Sequence, residues 1–296
     1  MPRNIVLLGG PSGAGKTFAY LQVVLHNPEA RHFAIAADEG LPTLLHYEFP
    51  HVGYSILDYD AGARQWVSRV RTGDQLTVYR VTTFSAALAA ITELEKAVQA
   101  KPPALMSSSW VCVDRIDMLY SQQQNAIVER ASRAHRERKP SHLDDWDSAL
   151  DQRAANKPMF EQQDWQLIKG YYWRFLSYIL EQQPGNVLVT TGVEELYRES
   201  QYVSKEHKEL AEEIGVQKHY SGQKETASRF PTLLCVRHVQ AGYFLNVWKV
   251  WGGLGMPLAQ HNPPILPRTD IPLDVGENSF WAVAKALFGW EEAHKD

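Results

Sequence analysis

Residues 10–17 read Gly-Pro-Ser-Gly-Ala-Gly-Lys-Thr and could bind the phosphates of a nucleotide. They form a complete G-x-x-x-x-G-K-[ST] pattern between an apolar run and a helical pattern, which is the setting that this motif requires. Glycines let backbone N–H groups turn towards a phosphate, the lysine reaches the β- and γ-phosphates, and the threonine hydroxyl is a Mg²⁺ ligand. The pattern therefore predicts ATP and Mg²⁺ as cofactors, with Lys16 both binding and catalytic. The predicted binding residues are Gly10, Pro11, Ser12, Gly13, Ala14, Gly15, Lys16, Thr17 and Phe18.

Carboxylates that end two other apolar runs could hold the metal and orient the attacking water. Asp114 ends the run Trp-Val-Cys-Val-Asp. We expect it on a strand neighbouring the phosphate loop, where it would hold a water bound to Mg²⁺ while Thr17 ligates the ion. Glu39 is our first candidate for orienting the water, and Asp38 is the alternative, because an error of one residue in the strand end would exchange them. Both acids could instead only cap the next helix.

Apolar runs that alternate with amphipathic stretches predict an α/β fold, a central mostly parallel sheet flanked by helices. Strands are predicted at 5–8, 32–37, 76–81, 110–113 and 186–190, and helices at 16–26, 84–100, 164–180 and 279–290. The runs 233–239 and 243–250 flank Gln-Ala-Gly, which predicts a β-hairpin. Thr190 and Thr191 end the fifth strand, where they could sense the γ-phosphate by hydrogen bonding or be plain strand-end residues. We expect a core at 1–253, with a polar and basic insertion at 121–163 and a mobile loop at 194–224, and then an extended segment and helix at 254–296.

The composition is that of an ordinary folded protein. Of the 296 residues, 44% are hydrophobic and 22% charged, which excludes a disordered chain, a collagen-like fibre and a disulfide scaffold. Cys112 and Cys235 lie in apolar runs and are expected to be buried thiols of a cytoplasmic protein. No apolar run approaches the length of a membrane span, so we expect no membrane association. The formal net charge of -4 means that nucleic-acid binding would need a local basic patch.

The order of these features resembles the RecA-like core ATPases, particularly the short ones of phages and archaea that lack the flanking domains of RecA. The likeness covers residues 4–253, from the glycine loop and Ala-Asp-Glu-Gly at 37–40 through Asp-Arg-Ile-Asp-Met-Leu-Tyr at 114–120 to the hairpin. It implies an ATPase acting on DNA in recombination, annealing or replication, assembled as a homo-oligomer. Glu39 would then be the catalytic glutamate, Asp114 the Walker B aspartate, and Lys249 the basic residue that reaches the neighbouring subunit's ATP.

This sequence departs from the family pattern in two places. The family often has a second basic residue two positions after Lys249, where this chain has Trp251, and Arg237 on the preceding strand is the candidate substitute. RecA couples ATP to DNA through a glutamine at the end of the fifth strand, where this chain has Gly-Val-Glu at 192–194. Activation between subunits and coupling to DNA are therefore expected to differ from RecA.

The insertion carries the densest basic run of the chain. Its charged residues are Arg130, Arg133, Arg136, Arg138 and Lys139. Trp146 and Phe160 could stack on bases beside them, which predicts contact with single-stranded DNA. The alternative is a solvated helix, because nearby aspartates partly neutralise the run.

Two other functions stay open on the sequence alone. A P-loop kinase for a nucleotide or small molecule could use the basic run as a phosphate-clamping lid, although the hairpin argues against a kinase because it extends the sheet as RecA-like cores do. A nucleotide-gated assembly protein with weak hydrolysis would be consistent with Trp251.

Overall fold

The computed structural model describes residues 3–126, 162–195, 218–221, 223, 225–250 and 270–290. The strands are β1 (Ile5–Gly9), β2 (His32–Ala36), β3 (Tyr54–Asp60), β4 (Gln65–Arg71), β5 (Leu76–Arg80), β6 (Trp110–Asp114), β7 (Asn186–Thr191), β8 (Val193–Glu195), β9 (Lys218–Tyr220), β10 (Thr232–Val239), β11 (Gly242–Val250) and β12 (Ile271–Leu273). The helices are α1 (Lys16–His26), α2 (Gly40–Tyr47), α3 (Phe84–Gln99), α4 (Gln162–Ser177) and α5 (Phe280–Phe288). Residues 116–126 are also helical, and a π-helical turn, Tyr178–Gln182, continues α4.

Ten of these strands form one sheet in the order β12-β11-β10-β1-β7-β6-β2-β5-β3-β4. The seven strands from β10 to β3 run parallel, and the outer strands β4, β11 and β12 pair antiparallel to their neighbours. Strands β2 and β6 are buried at every residue, because helices cover both faces of the sheet and leave no position for a solvated side chain. The predicted α/β fold class with its mostly parallel sheet is confirmed, and so is the hairpin of β10 and β11.

Two apolar clusters hold the helices against the sheet. On one face α1, α2 and α5 contribute to a cluster that includes Tyr20, Leu45 and Trp281. On the other face α3 and α4 contribute to a second cluster that includes Leu94 and Phe175. Both cysteines are buried free thiols, as their apolar runs predicted.

The C-terminal segment 270–290 is built into this core. Its strand β12 pairs with β11, and its helix α5 packs beside α1. The Gln22 side chain ties the two helices together, because its Oε1 accepts a hydrogen bond of 2.6 Å from the backbone N–H of Phe280. Ser279 caps the first turn of α5 by accepting from Ala282 N, and Gly289 ends the helix in a left-handed conformation. The segment therefore contributes to the same folded unit as the phosphate loop.

Two features of the sheet differ from the sequence prediction. Strands β3, β4 and β12 were not predicted. β4 and β12 are the two edge strands of the sheet, and the residues of β4 are mostly exposed and carry little apolar signal. Asp114 was expected on a strand next to the phosphate loop, but β7 lies between β1 and β6. Asp114 nevertheless lies close to the phosphate loop, as predicted, because β1, β7 and β6 run parallel and end at the same edge of the sheet. There the Thr17 side chain reaches the Asp114 carboxylate.

Several predicted features fall outside the described residues. They are the basic run from Arg130 to Lys139, the aromatic residues Trp146 and Phe160, most of the 194–224 loop, and Trp251. For Lys249 the structure describes the backbone, which pairs with Leu233 in the hairpin. Across the described ranges, every helix is too short or too polar to cross a membrane.

Candidate nucleotide site

The phosphate loop joins β1 to α1 and depends on glycine at three positions. Gly13 and Gly15 have φ angles of 75° and 88°, in the left-handed region that L side chains rarely adopt. Gly10 is required for a different reason, since a Cβ there would lie 2.4 Å from the carbonyl oxygen of Val236. The loop geometry therefore explains the glycine pattern of the motif.

The start of α1 is arranged to receive an anion. Its N-cap is Gly15, no side chain of the described loop caps it, and its first turn contains no acidic residue. The backbone N–H groups of that turn and the positive end of the helix dipole are thus directed at the loop. Lys16 Nζ donates hydrogen bonds of 2.8 Å to the carbonyl oxygens of Gly10 and Pro11, which holds the ammonium over the loop. Burial, followed by the nearby charge of Arg115, lowers the pKa of Lys16.

Asp114 lies at the buried end of β6 between two hydroxyls. Thr17 Oγ1 donates to its Oδ2 at 3.2 Å, and Thr190 Oγ1 donates to its Oδ1 at 2.5 Å. Burial raises the pKa of Asp114 to about 6, while the hydrogen bonds from Thr190 and Thr17 act in the opposite direction. Thr190, at the end of β7, thus orients the Asp114 carboxylate in this structure.

These residues fit a Mg²⁺ ion that is bound together with a nucleotide. Mg²⁺ prefers oxygen ligands and usually keeps several waters while one or two carboxylates and the substrate phosphates hold it. The Thr17 hydroxyl and the Asp114 carboxylate supply such oxygens side by side, at the first turn of α1.

The two adjacent acids after β2 have different surroundings. Glu39 has a side chain that is 61% exposed, and it pairs with Arg80, which also binds Asp58 through Nε–Oδ1 and Nη2–Oδ2 contacts of 2.6 and 3.0 Å. Asp38 instead lines the cavity beside the phosphate loop. Its Oδ1 accepts from Gly40 N at 2.9 Å, and its Oδ2 is 3.6 Å from Arg115 Nη1. The described geometry therefore places Asp38, the alternative candidate, closer to the loop than Glu39.

A cavity of about 530 Å³ opens over the loop, which is a volume typical of small-molecule sites. Its wall combines the phosphate loop and α1 with the ends of several strands and with the C-terminal segment. The lining residues are Ser12, Gly13, Ala14, Gly15, Lys16, Thr17, Phe18, Ala19, Gln22, Asp38, Gly40, Leu44, Arg115, Val236, Tyr243, Leu273, Asp274, Val275 and Phe280. The lining combines charged side chains, among them Lys16 and Arg115, with apolar ones, among them Phe18 and Leu273.

The sequence analysis missed two parts of this wall. Arg115 lines the cavity, and its place directly after Asp114 was the signal that could have identified it. Leu273 and Val275 lie in a segment that was expected to be extended, and no local pattern shows that it contributes to this cavity. Of the residues predicted to bind the nucleotide, those from Ser12 to Phe18 line the cavity, whereas Gly10 and Pro11 contribute the carbonyl oxygens that accept from Lys16 Nζ.

Comparisons with known proteins give a limited result. No family model matches this sequence, and no curated protein matches it. Among solved structures, 101 chains match. One of them, described as "Crystal structure of the RadB recombinase", is similar to this chain with a TM-score of 0.42 and 12% sequence identity, and the alignment covers 84% of this chain and 82% of that chain. At this level the likeness says nothing about substrate or activity.

Proposed function

We propose that this protein binds Mg²⁺ and ATP and hydrolyses ATP as a RecA-like ATPase that acts on DNA. The observation that carries the proposal is that Lys16 and Thr17 line a cavity large enough for a nucleotide, and that Thr17 contacts the buried Asp114 carboxylate. The hairpin of β10 and β11, which extends the sheet beside β1, supports a RecA-like core over a small-molecule kinase.

Each of these polar groups has a role that follows from its position. The loop N–H groups and Lys16 would bind the β- and γ-phosphates, and Thr17 and Asp114 would hold the Mg²⁺. The ion, when bound, neutralises charge on the phosphate oxygens. Asp38, at the cavity wall, is placed to accept a hydrogen bond from a water beside the terminal phosphate.

The apolar residues of the cavity lining suit a nucleoside. Phe18 and Leu273 are among them, and the Tyr243 ring lies 3.6 Å from where a Cβ of Gly15 would be. Tyr243 is 43% exposed and Val275 is 83% exposed, so both present apolar surface that a base could cover. We assign the base and sugar to these apolar residues, and the C-terminal segment forms one wall of this part of the cavity.

Assembly and DNA binding complete the proposal. Lys249 in the hairpin is proposed to reach the ATP of a neighbouring subunit in a homo-oligomer, with Arg237 as the alternative. The basic residues from Arg130 to Lys139 are proposed to contact single-stranded DNA. The first proposal comes from the sequence resemblance, and the second comes from the basic run and the aromatic residues Trp146 and Phe160 beside it.

Steady-state ATP hydrolysis with and without single-stranded DNA tests the proposed function. A RecA-like ATPase should turn over with Mg²⁺ and be stimulated by DNA, and light scattering should show a higher mass with ATP. Turnover only with a phosphate acceptor would indicate a kinase, and negligible turnover despite ATP binding would indicate a nucleotide-gated assembly protein. Arg130→Ala/Arg133→Ala should lose the DNA stimulation and keep basal turnover, whereas the matched control Arg71→Ala on β4 should keep both.

A pair of substitutions tests which acid orients the water. Asp38→Asn should retain Mg-ATP binding and lower turnover by about 10²-fold or more, as expected for loss of general-base assistance. Glu39→Gln should leave turnover within a few-fold, because its side chain points to Arg80 in this structure. The reverse outcome, measured as kcat beside the dissociation constant for ATP, would restore Glu39 as the catalytic glutamate. If neither change lowers kcat, the water is oriented by another residue.

A further inference from the structure

We propose that Arg115 binds the terminal phosphate of the nucleoside triphosphate and thereby supplies, from within the same chain, a cation that distinguishes a triphosphate from a diphosphate. This inference rests on the proposed function, since it requires a nucleotide in the cavity. Within this chain the sequence predicted a γ-phosphate contact from Lys16 and left one open for Thr190 and Thr191. A second cation at the nucleotide was expected only from a neighbouring subunit, and the inference assigns that cation to Arg115.

The backbone of Arg115 is held in a conformation that an arginine rarely adopts. Its φ is 66°, in the left-handed region, and its N–H donates a 2.9 Å hydrogen bond to Thr190 Oγ1. That hydroxyl also orients Asp114, so the left-handed turn is fixed by the same group that positions the metal carboxylate. A non-glycine residue in this region is strained, and such residues cluster at functional sites. The turn directs the chain from the end of β6 into the helix at 116–126 and leaves the Arg115 side chain in the cavity wall.

The contacts of the guanidinium leave one side directed at the cavity. Nε and Nη2 donate to Asp117 Oδ1 and Oδ2 at 3.0 and 2.9 Å, so this carboxylate fixes the plane of the group. Nη1 is 3.6 Å from Asp38 Oδ2, which is an ion pair but too long for a good hydrogen bond. A phosphate oxygen would offer Nη1 a shorter, charge-assisted bond of the kind for which arginine is well suited.

The charges nearby agree with this role. Lys16 and Arg115 both line the cavity, so two cations face the same volume. Two like charges in a partly buried cavity repel each other, and a phosphate between them removes the repulsion. Contact of Nη1 with the phosphate would also weaken its ion pair with Asp38, which frees that carboxylate for the water. A diphosphate would stop short of Nη1 and leave the Arg115–Asp38 pair in place.

The test compares binding of a triphosphate and a diphosphate. Affinities for Mg-AMP-PNP and Mg-ADP should be measured by calorimetry for the wild type, Arg115→Ala, Arg115→Lys and the control Arg64→Ala. Arg64 is a suitable control because it also has a positive φ, of 54°, but lies in the exposed turn between β3 and β4. We expect Arg115→Ala to bind Mg-AMP-PNP at least tenfold more weakly and Mg-ADP within about twofold of the wild type. Arg115→Lys should fall between the two, and Arg64→Ala should match the wild type.

Turnover gives a second measure. A phosphate-contacting arginine is worth about 10³–10⁵ in kcat when it acts as an arginine finger, so a loss of at least about 10²-fold is expected for Arg115→Ala. If Arg115→Ala does not fold, Arg115→Gly replaces it, because glycine adopts the left-handed conformation without strain. Equal weakening of both nucleotides, or no weakening of either, would overturn the inference. If the wild type binds neither nucleotide, the proposed function itself is overturned, so the two failures are distinguishable.

Discussion

Lys16→Ala should abolish ATP turnover, with a loss of about 10²–10³-fold or more, while the protein keeps its fold. The lysine ammonium donates to the carbonyl oxygens of Gly10 and Pro11 in the phosphate loop, so the core does not depend on it. Its charge would act on the phosphoryl group, where preorganised electrostatic stabilisation contributes a few kcal/mol to the transition state. Phosphate release measures turnover, and thermal melting of the nucleotide-free protein measures the fold.

The exposed Lys96 on α3 provides a matched control for this experiment. Its side chain is 66% exposed and pairs with Glu93, three residues earlier on the same helix. Lys96→Ala should therefore leave turnover unchanged, since an exposed ion pair of this kind contributes little. A Lys16→Ala protein that hydrolyses ATP at the wild-type rate and melts normally would remove the phosphate-loop assignment.

Asp114→Asn should weaken Mg²⁺-dependent ATP binding and at the same time reduce the cost of a buried charge in the empty protein. The pKa of Asp114 is raised from 3.8 to about 6 by burial, which means that the folded state disfavours the carboxylate. The charged carboxylate therefore lowers the free energy of unfolding above pH 6. This loss decreases as the pH falls through 6 and vanishes below about pH 4. The difference between a pKa of 3.8 and one of about 6 corresponds to about 3 kcal/mol of folding free energy. This is the upper bound of the stability that Asp114→Asn can gain, because the asparagine N–H₂ also needs hydrogen-bond partners.

The measurement is the free energy of unfolding of both proteins between pH 4 and pH 8 without nucleotide. The stability of the variant relative to the wild type should be highest at pH 8 and should decline towards pH 4. Titration with ATP in the presence and absence of Mg²⁺ should show that the variant has lost the metal-dependent part of its affinity. A pH-independent difference in stability would show that the Asp114 carboxylate is not destabilised by burial, and unchanged Mg²⁺ dependence would show that it does not hold the ion.

Local patterns were sufficient to predict the elements nearest the phosphate loop. Helix α1 begins at Lys16 and ends at His26, as predicted, because the glycine loop and Asn27-Pro28 determine its two ends within the sequence. The N-cap of α3 is Thr83, directly before the predicted helix start at residue 84, and its side chain accepts from Ala86 N. Buried parallel strands such as β6 were predicted for the same reason, since both of their faces must be apolar.

The contacts that decide chemical roles depend on residues distant in the sequence. Asp38 and Glu39 have similar chemistry and differ in surroundings because Arg80 lies on β5, beside β2, and Arg115 follows β6. The sequence left open whether Thr190 contacts a phosphate or is a plain strand-end residue, and in the structure it donates to Asp114 across 76 positions of chain. Leu273 lies in the cavity wall because it pairs with Tyr243 of β11. The proline-rich sequence around Leu273 contains no pattern that predicts this pairing.

The position of β1 in the sheet has a consequence for synthesis of the protein. This strand is made first, but its two hydrogen-bonding partners are β7 and β10, which begin at Asn186 and Thr232. Both edges of an apolar strand therefore stay without their native partners while most of the chain leaves the ribosome. Pairing between such distant segments folds slowly, and open strand edges promote aggregation. A nascent chain stalled before residue 186 should accordingly require a chaperone and bind no nucleotide, although it already contains the whole phosphate loop.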